Sequence, residues 1–205
     1  MKFIAVDYQG DFAKKGGRWY NERLCEAFIN AKLIPFFREK HIKLSEIISD
    51  YRLPRPSETL EYCIPGTEGY ASELPDDIKS DNVWIKCMNS PVWIGENRGD
   101  PSKPAGQPYS APEKFTAWLK QEIGEPSDEE IVIFGLTLDC CVLCLAQELY
   151  FRGYPARILY EAVDTYMGYE QQKDNMFDTP IPLWAQKITW EQVTAKIAPA
   201  SLDPK

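Results

Sequence analysis

Ile131-Val132-Ile133-Phe134 is an uninterrupted apolar run, and Gly135-Leu136-Thr137-Leu138-Asp139-Cys140-Cys141-Val142 follows it directly. A short run without polar alternation suits a strand covered on both faces, the situation of a parallel sheet. Beyond it, Val142, Leu143, Leu145, Ala146, Leu149 and Tyr150 recur at helical spacing. That pattern closes at Arg152-Gly153, glycine being the usual residue just past a helix. The segment therefore predicts a strand-to-helix turn, with Cys140 and Cys141 at or near the first turn of the helix. Backbone N–H groups and the helix dipole favour an anion there, so the expectation is a thiol that ionises more readily than a free cysteine. A nucleophile would be built at this point.

Outward from the turn, other short apolar runs read as strands: Phe3-Ile4-Ala5-Val6 as the first and central one, Val83-Trp84-Ile85, Ala156 to Tyr160 ending near Val163-Asp164, and Lys187 to Trp190. Leu33-Ile34-Pro35-Phe36-Phe37 reads as a strand interrupted by proline or lying at an edge. Helical spacing starts after Asn21 (Leu24, Ala27, Phe28, Ala31) and covers Phe115 to Ile123, and Leu44 to Ser49 reads as a short helix. Strand and helix alternate along the chain. The pattern predicts an α/β fold of three layers, with a mostly parallel central sheet of about six strands and helices on both faces. Residues 1–205 are expected to form one domain. Proline- and glycine-rich loops at residues 13–18, 50–70 and 91–112, the last a candidate lid, are the expected sources of pocket residues.

Composition narrows the function. A formal charge of -8 argues against nucleic acid or an anionic membrane surface as partner. No segment approaches the roughly 20 apolar residues that cross a bilayer. The opening Met1-Lys2-Phe3-Ile4-Ala5-Val6-Asp7 is too short in its apolar run for a signal peptide, so a cytoplasmic location is expected. The six cysteines then read as thiols rather than a disulfide framework. Cys140, Cys141 and Cys144 are not paired with a second Cys or His cluster at metal-binding spacing, so no metal and no cofactor is expected.

The single histidine, His41, sits among Arg38, Glu39, Lys40 and Lys43, a solvated setting. Any arrangement that activates a nucleophile with histidine would rest on it alone, so a base is sought among carboxylates and amines. Two titratable residues stand at the ends of apolar runs, where open α/β sheets gather ligands. They are Asp7, otherwise a plain strand terminator, and Lys86, otherwise an edge lysine guarding a short strand.

Three segments taken together resemble the isochorismatase-like cysteine hydrolases, the family of nicotinamidases and N-carbamoylsarcosine amidases. Asp7-Tyr8-Gln9-Gly10-Asp11-Phe12 is similar to the family's Asp-x-Gln-x-x-Phe. Lys86-Cys87-Met88-Asn89-Ser90 is similar to its Lys with a Ser four positions on, and Gly135 to Val142 resembles its Gly-x-x-Thr-Asp-x-Cys-Val. The resemblance implies an Asp7, Lys86, Cys141 triad, the Cys-Val pairing selecting Cys141 over Cys140. It further implies hydrolysis of amides, ureas and related C–N bonds through a thioester, and a cis peptide at Leu136-Thr137. The amides of Thr137 and Cys141 would form the oxyanion site, and Gln9 and Phe12 would be substrate-binding positions.

The departures also carry expectations. Nicotinamidases of that family bind a metal through Asp-x-His and a further His. Here Asp50-Tyr51-Arg52 has Arg in place of the first His, and Tyr62 stands where the second would precede Cys63-Ile64-Pro65-Gly66-Thr67. The reading is a metal-independent amidase or carbamoyl hydrolase in which Arg52 or Arg55 pairs with an anionic group on a small substrate. An arginine on a solvated loop is the plain alternative for both. A nicotinamidase-type or ester hydrolase, and a non-enzymatic thiol or redox-sensing relative, are the other classes open, and a homo-oligomer is expected.

Overall fold

The computed structural model describes residues 1–197. Three strands come first: β1 (Lys2–Val6), β2 (Ser45–Ser49) and β3 (Trp84–Lys86). A two-stranded antiparallel ribbon of β4 (Trp93–Gly95) and β5 (Pro108–Ser110) intervenes before β6 (Ile131–Leu136), β7 (Ala156–Asp164) and β8 (Gln186–Ile188). Apart from the ribbon, the strands form one six-stranded sheet in the order β3-β2-β1-β6-β7-β8, every neighbouring pair parallel. The chain winds outward from β1 in one direction, returns at β6 and winds outward in the other. The crevice at that reversal lies beyond the C-terminal ends of β1 and β6, where Asp7 and Thr137 are found.

The helices are α1 (Gly10–Ala13), α2 (Leu24–Phe28), α3 (Ile34–Glu39), α4 (Pro112–Ile123), α5 (Leu143–Phe151), α6 (Glu170–Asp178) and α7 (Trp190–Ile197). Strand alternation divides the sheet's side chains between two cores. Ile4, Val6, Ile131 and Ile133 pack with Phe115 and Leu119 of α4 and Leu145 and Leu149 of α5. Phe3, Ala5, Val132 and Phe134 pack with Cys25 of α2, Phe37 of α3 and Val193 of α7. This is the three-layer arrangement that the strand and helix pattern predicts. Among the described residues, no helix is long and apolar enough to cross a membrane.

Two local expectations are corrected. Leu33 to Phe37 is not a strand. α2 runs through a π-helical turn at Ile29–Leu33 straight into α3, with Pro35 in the first turn of α3. Leu33 and Ile34 have helical dihedrals, so Pro35 stands within one continuous helical run, directly after a π-helical turn, the kind of local widening found where the helical hydrogen-bond ladder is interrupted. Leu44 to Ser49 is not a helix. Leu44, Ile47 and Ile48 happen to stand at helical spacing, yet Ser45–Ser49 is β2, paired on both edges and buried along its whole length. Glu46, the polar residue that masks the strand, is buried against Ser72 and lies 3.4 Å from Lys79 Nζ.

Gly135 is required where β6 meets β1. It has φ of 112°, and a Cβ there would lie 2.1 Å from the carbonyl oxygen of Val6. The glycine lets the two central strands run side by side up to the crevice.

Candidate active site

Asp7 leaves β1 in the left-handed region, with φ of 48°, and its N–H donates to the Ile47 carbonyl at 2.9 Å. A short polar side chain is among the few that tolerate this backbone, and the turn directs a buried carboxylate into the crevice. Lys86, the last residue of β3, comes from two strands away, and its stem passes over the end of β2. Its Nζ lies 2.8 Å from Asp7 Oδ2, 2.6 Å from Ser49 Oγ, 2.7 Å from Tyr51 OH and 3.3 Å from Cys141 Sγ. Ser49 Oγ donates in turn to Asp7 Oδ1 at 2.8 Å. Tyr51 OH is 3.4 Å from both Cys141 Sγ and Asn89 Oδ1. Because Tyr51 accepts from Lys86, its own proton is free to point at the sulfur or at Asn89. The structure thus brings together Asp7, Lys86 and Cys141 and adds Ser49, Tyr51 and Asn89.

Cys141 lies in the π-helical segment Leu138–Val142 that leads into α5, and the Leu136–Thr137 peptide before it is cis. The expectation of a readily ionised thiol is overturned. Burial pushes the Cys141 thiol well above its usual range, Lys86 pulls it down, Asp7 pushes it up, and a hydrogen bond from Tyr51 pulls it down. Desolvation outweighs the cation. Burial alone would lower the Lys86 ammonium, but Asp7 and Cys141 beside it hold it above its ordinary value. At rest the cluster holds a protonated thiol and an ammonium. Tyr51 is also held protonated by burial, so it stays a donor.

A cavity of about 270 Å³ opens over Cys141. Thr137, Cys140 and Asn89 line it beside the thiol, Phe12, Trp19, Tyr51, Tyr62 and Tyr166 contribute aromatic rings, and Glu58 is the one charged side chain among its described lining residues. Phe12 therefore lines the cavity. Gln9 is behind it: its amide donates to the carbonyls of Ser49 and Tyr70 and accepts from Ser49 N–H, which ties the ends of β1 and β2 together.

The arginines do not reach the cavity. Arg52 grips Asp50 through Nε at 2.9 Å and Nη2 at 2.7 Å and donates to the carbonyls of Asn97, Asp100 and Lys103. Arg55 is buried with its guanidinium 4.5 Å from the Tyr51 ring centre and 5.0 Å from that of Tyr62. His41 is exposed, in the turn between α3 and β2, and is not among the residues that line the cavity. The 13–18 and 91–112 loops contribute no lining residue; the second is tied down by the β4–β5 ribbon and by Arg52.

One residue that sequence reasoning missed organises the pocket walls. Arg23 is buried and donates to the carbonyls of Phe12, Trp19, Asn21, Thr165 and Tyr166, all at 2.9 to 3.3 Å. Asp139 Oδ1 accepts from Tyr166 N–H at 3.1 Å. No local pattern marks Arg23, since its partners come from residues more than 140 positions away as well as from its own loop.

The isochorismatase-like hydrolase of Alkaliphilus metalliredigens superposes with a TM-score of 0.64 at 15% identity, over 96% of this chain and 99% of that one. The chain has the isochorismatase-like hydrolase fold. Other structures with this isochorismatase-like fold are similar to it. The pyrazinamidase of Pyrococcus horikoshii in complex with zinc matches with a TM-score of 0.64 at 16% identity, over 92% of this chain and 98% of that one. The N-carbamoylsarcosine amidase of Thermoplasma acidophilum matches with a TM-score of 0.59 at 19% identity, over 92% and 96%. No family model and no curated protein matches the sequence.

A metal does not fit the residues present. Among the described residues, no group of three His, Cys, Asp or Glu side chains converges. The Asp50 carboxylate, first of the positions that resemble metal ligands, is filled by the Arg52 guanidinium and by Gly99 N–H. Tyr62 instead packs edge-on against Tyr51, Phe12 and Trp19.

Proposed function

We propose that this protein is a cysteine hydrolase of small amide, urea or carbamoyl C–N bonds that works through a thioester and needs no metal. The observation that carries this reading is the buried junction of Asp7, Lys86 and Cys141 around one ammonium, opening onto a cavity at the sheet's reversal point. The printed descriptions of the similar structures, a hydrolase, a pyrazinamidase and an amidase, support the same reaction class.

Cys141 Sγ attacks the substrate carbonyl as its proton passes to Asp7. A carboxylate at the ammonium is the natural acceptor, because Lys86 keeps its proton. Negative charge moves from Asp7 to sulfur and then to the carbonyl oxygen, and Lys86, in contact with both ends of this path, stays within reach of it. Tyr51 donates to the sulfur as it ionises. The amides of Thr137 and Cys141 take the oxyanion. Collapse of the tetrahedral adduct breaks the C–N bond, Asp7 returns its proton to the leaving nitrogen, and the thioester remains on Cys141. Water then attacks that thioester, gives a proton to Asp7, and releases the acid and the free thiol.

A panel of small amides and ureas assayed for ammonia release tests the proposal. Turnover is expected in the presence of a chelator and is lost in Cys141→Ala, while intact-protein mass spectrometry shows an acyl adduct on the wild type only. Full turnover by Cys141→Ala rules the reading out.

A further inference from the structure

We infer that the amide this cavity accepts carries a positively charged group, and that Glu58 and the aromatic walls select it. The inference rests on Cys141 facing the same cavity as nucleophile, and it reverses the sequence expectation of an anionic substrate.

Three observations converge on a cation. First, the arginines suited to an anion do not line the cavity: Arg52 is held by Asp50 and loop carbonyls, and Arg55 lies behind the wall, against the rings of Tyr51 and Tyr62 and bonded to the Leu60 carbonyl, its buried Nε without a partner among the described residues. Second, Glu58 is the one charged side chain among the described residues that line the cavity; it is half-exposed and forms only a loose ion pair with Arg55, at 3.9 Å. Third, the rings meet edge to face. Trp19 and Tyr62 are inclined at 69°, Trp19 and Tyr166 at 67°, Phe12 and Tyr62 at 89°. Walls at such angles form a box and not a slot. A flat ring finds no parallel pair of faces in a box, whereas a compact ammonium suits the rings of Phe12 and Trp19, which carry no cation of the protein among the described residues, while Tyr51, Tyr62 and Tyr166 already have Arg55, Lys86 or Arg23 against one face. Lys86 does not repel it, since its charge is matched by Asp7 at 2.8 Å.

A matched set of probes reads the charge alone: trimethylglycinamide as cation, tert-butylacetamide as its neutral isostere, and succinamate as anion. Calorimetric binding to Cys141→Ser protein separates recognition from chemistry, and ammonia release by the wild type is measured in parallel. The expected order of affinity is cation, neutral, anion, with the cation about tenfold tighter than the isostere. Glu58→Gln shrinks that ratio and Glu58→Lys reverses it. Succinamate binding as tightly as the cation, a ratio indifferent to Glu58→Gln, or no binding of the cation at millimolar concentration overturns the inference. Should the binding order hold while the wild type releases no ammonia from any probe, the charge selection stands and the hydrolase reading fails.

Discussion

Replacing Lys86 with methionine leaves the Asp7 carboxylate buried and without its cation. In the folded protein the pair is 2.8 Å apart, with side chains 1% and 0% exposed, so water cannot take over the lost contact. Removing one member of such a pair costs about 3–5 kcal/mol, chiefly through the uncompensated charge that stays behind. Ser49 Oγ still donates to Asp7 Oδ1, which relieves part of the cost and sets the expectation toward the lower end. For a chain of this size the loss corresponds to a drop in Tm on the order of 10 °C. Asp7→Asn together with Lys86→Met removes both charges and keeps the shapes, and replacement of a whole buried pair is often close to neutral. Urea unfolding of the wild type, both single variants and the double variant closes the thermodynamic cycle. The double variant is expected to recover at least about 2 kcal/mol over Lys86→Met while remaining as inactive as either single change. If the double variant is no more stable than Lys86→Met, the two groups are not coupled, and the account of Lys86 as the charge balance of the site is wrong.

Tyr51→Phe removes the donor from the sulfur, and kcat/KM is expected to fall about ten- to a hundredfold, the scale of one hydrogen bond to a charged group. Because that bond pulls the thiol down, its loss also moves the alkaline inflection of the pH–rate profile, where the thiol titrates, to higher pH; an unmoved inflection would leave Tyr51 a wall residue only. Burial pushes the thiols of Cys25, Cys63 and Cys141 well up in the folded chain. Unfolded, they ionise near about pH 8.5, so the unfolded state loses protons first and stability, fully present below that pH, falls above it by about 1.4 kcal/mol per pH unit for each thiol. Urea midpoints at mildly alkaline pH check this, with Cys25→Ala showing a shallower decline; a flat profile refutes it. Arg23→Met strands buried carbonyls and frees the walls bearing Phe12, Trp19 and Tyr166, so KM should rise more than kcat falls and stability should drop by about 2 kcal/mol. Equal effects on the two constants would count against a positioning role.

The parallel sheet was readable because a strand buried on both faces leaves an apolar run, as in Phe3 to Val6 and Ile131 to Phe134. Asp7 and Lys86 were readable as candidates because each follows or closes such a run, and in a parallel sheet all strand ends of one sense face one crevice, whereas Cys141 was chosen over Cys140 by the resemblance alone. Pattern failed where two signals competed within a few residues: Pro35 inside an apolar segment, Glu46 inside a strand. It failed again where contacts join distant segments. That Tyr51 would touch Cys141 depends on β2 lying between β1 and β3, and that Arg23 would hold Tyr166 depends on α2 packing against β7.

The amino-acid sequence by itself determined the layers, the strand-to-helix turn and the residue types available for chemistry, because periodicity and turn propensity are local properties of the chain. The tertiary structure alone decided which way the thiol is shifted, which arginines are already paired, and what charge the cavity presents. Those depend on desolvation and on partners more than 40 residues apart along the chain, such as Asp7 with Ser49 and Lys86, which no local pattern encodes.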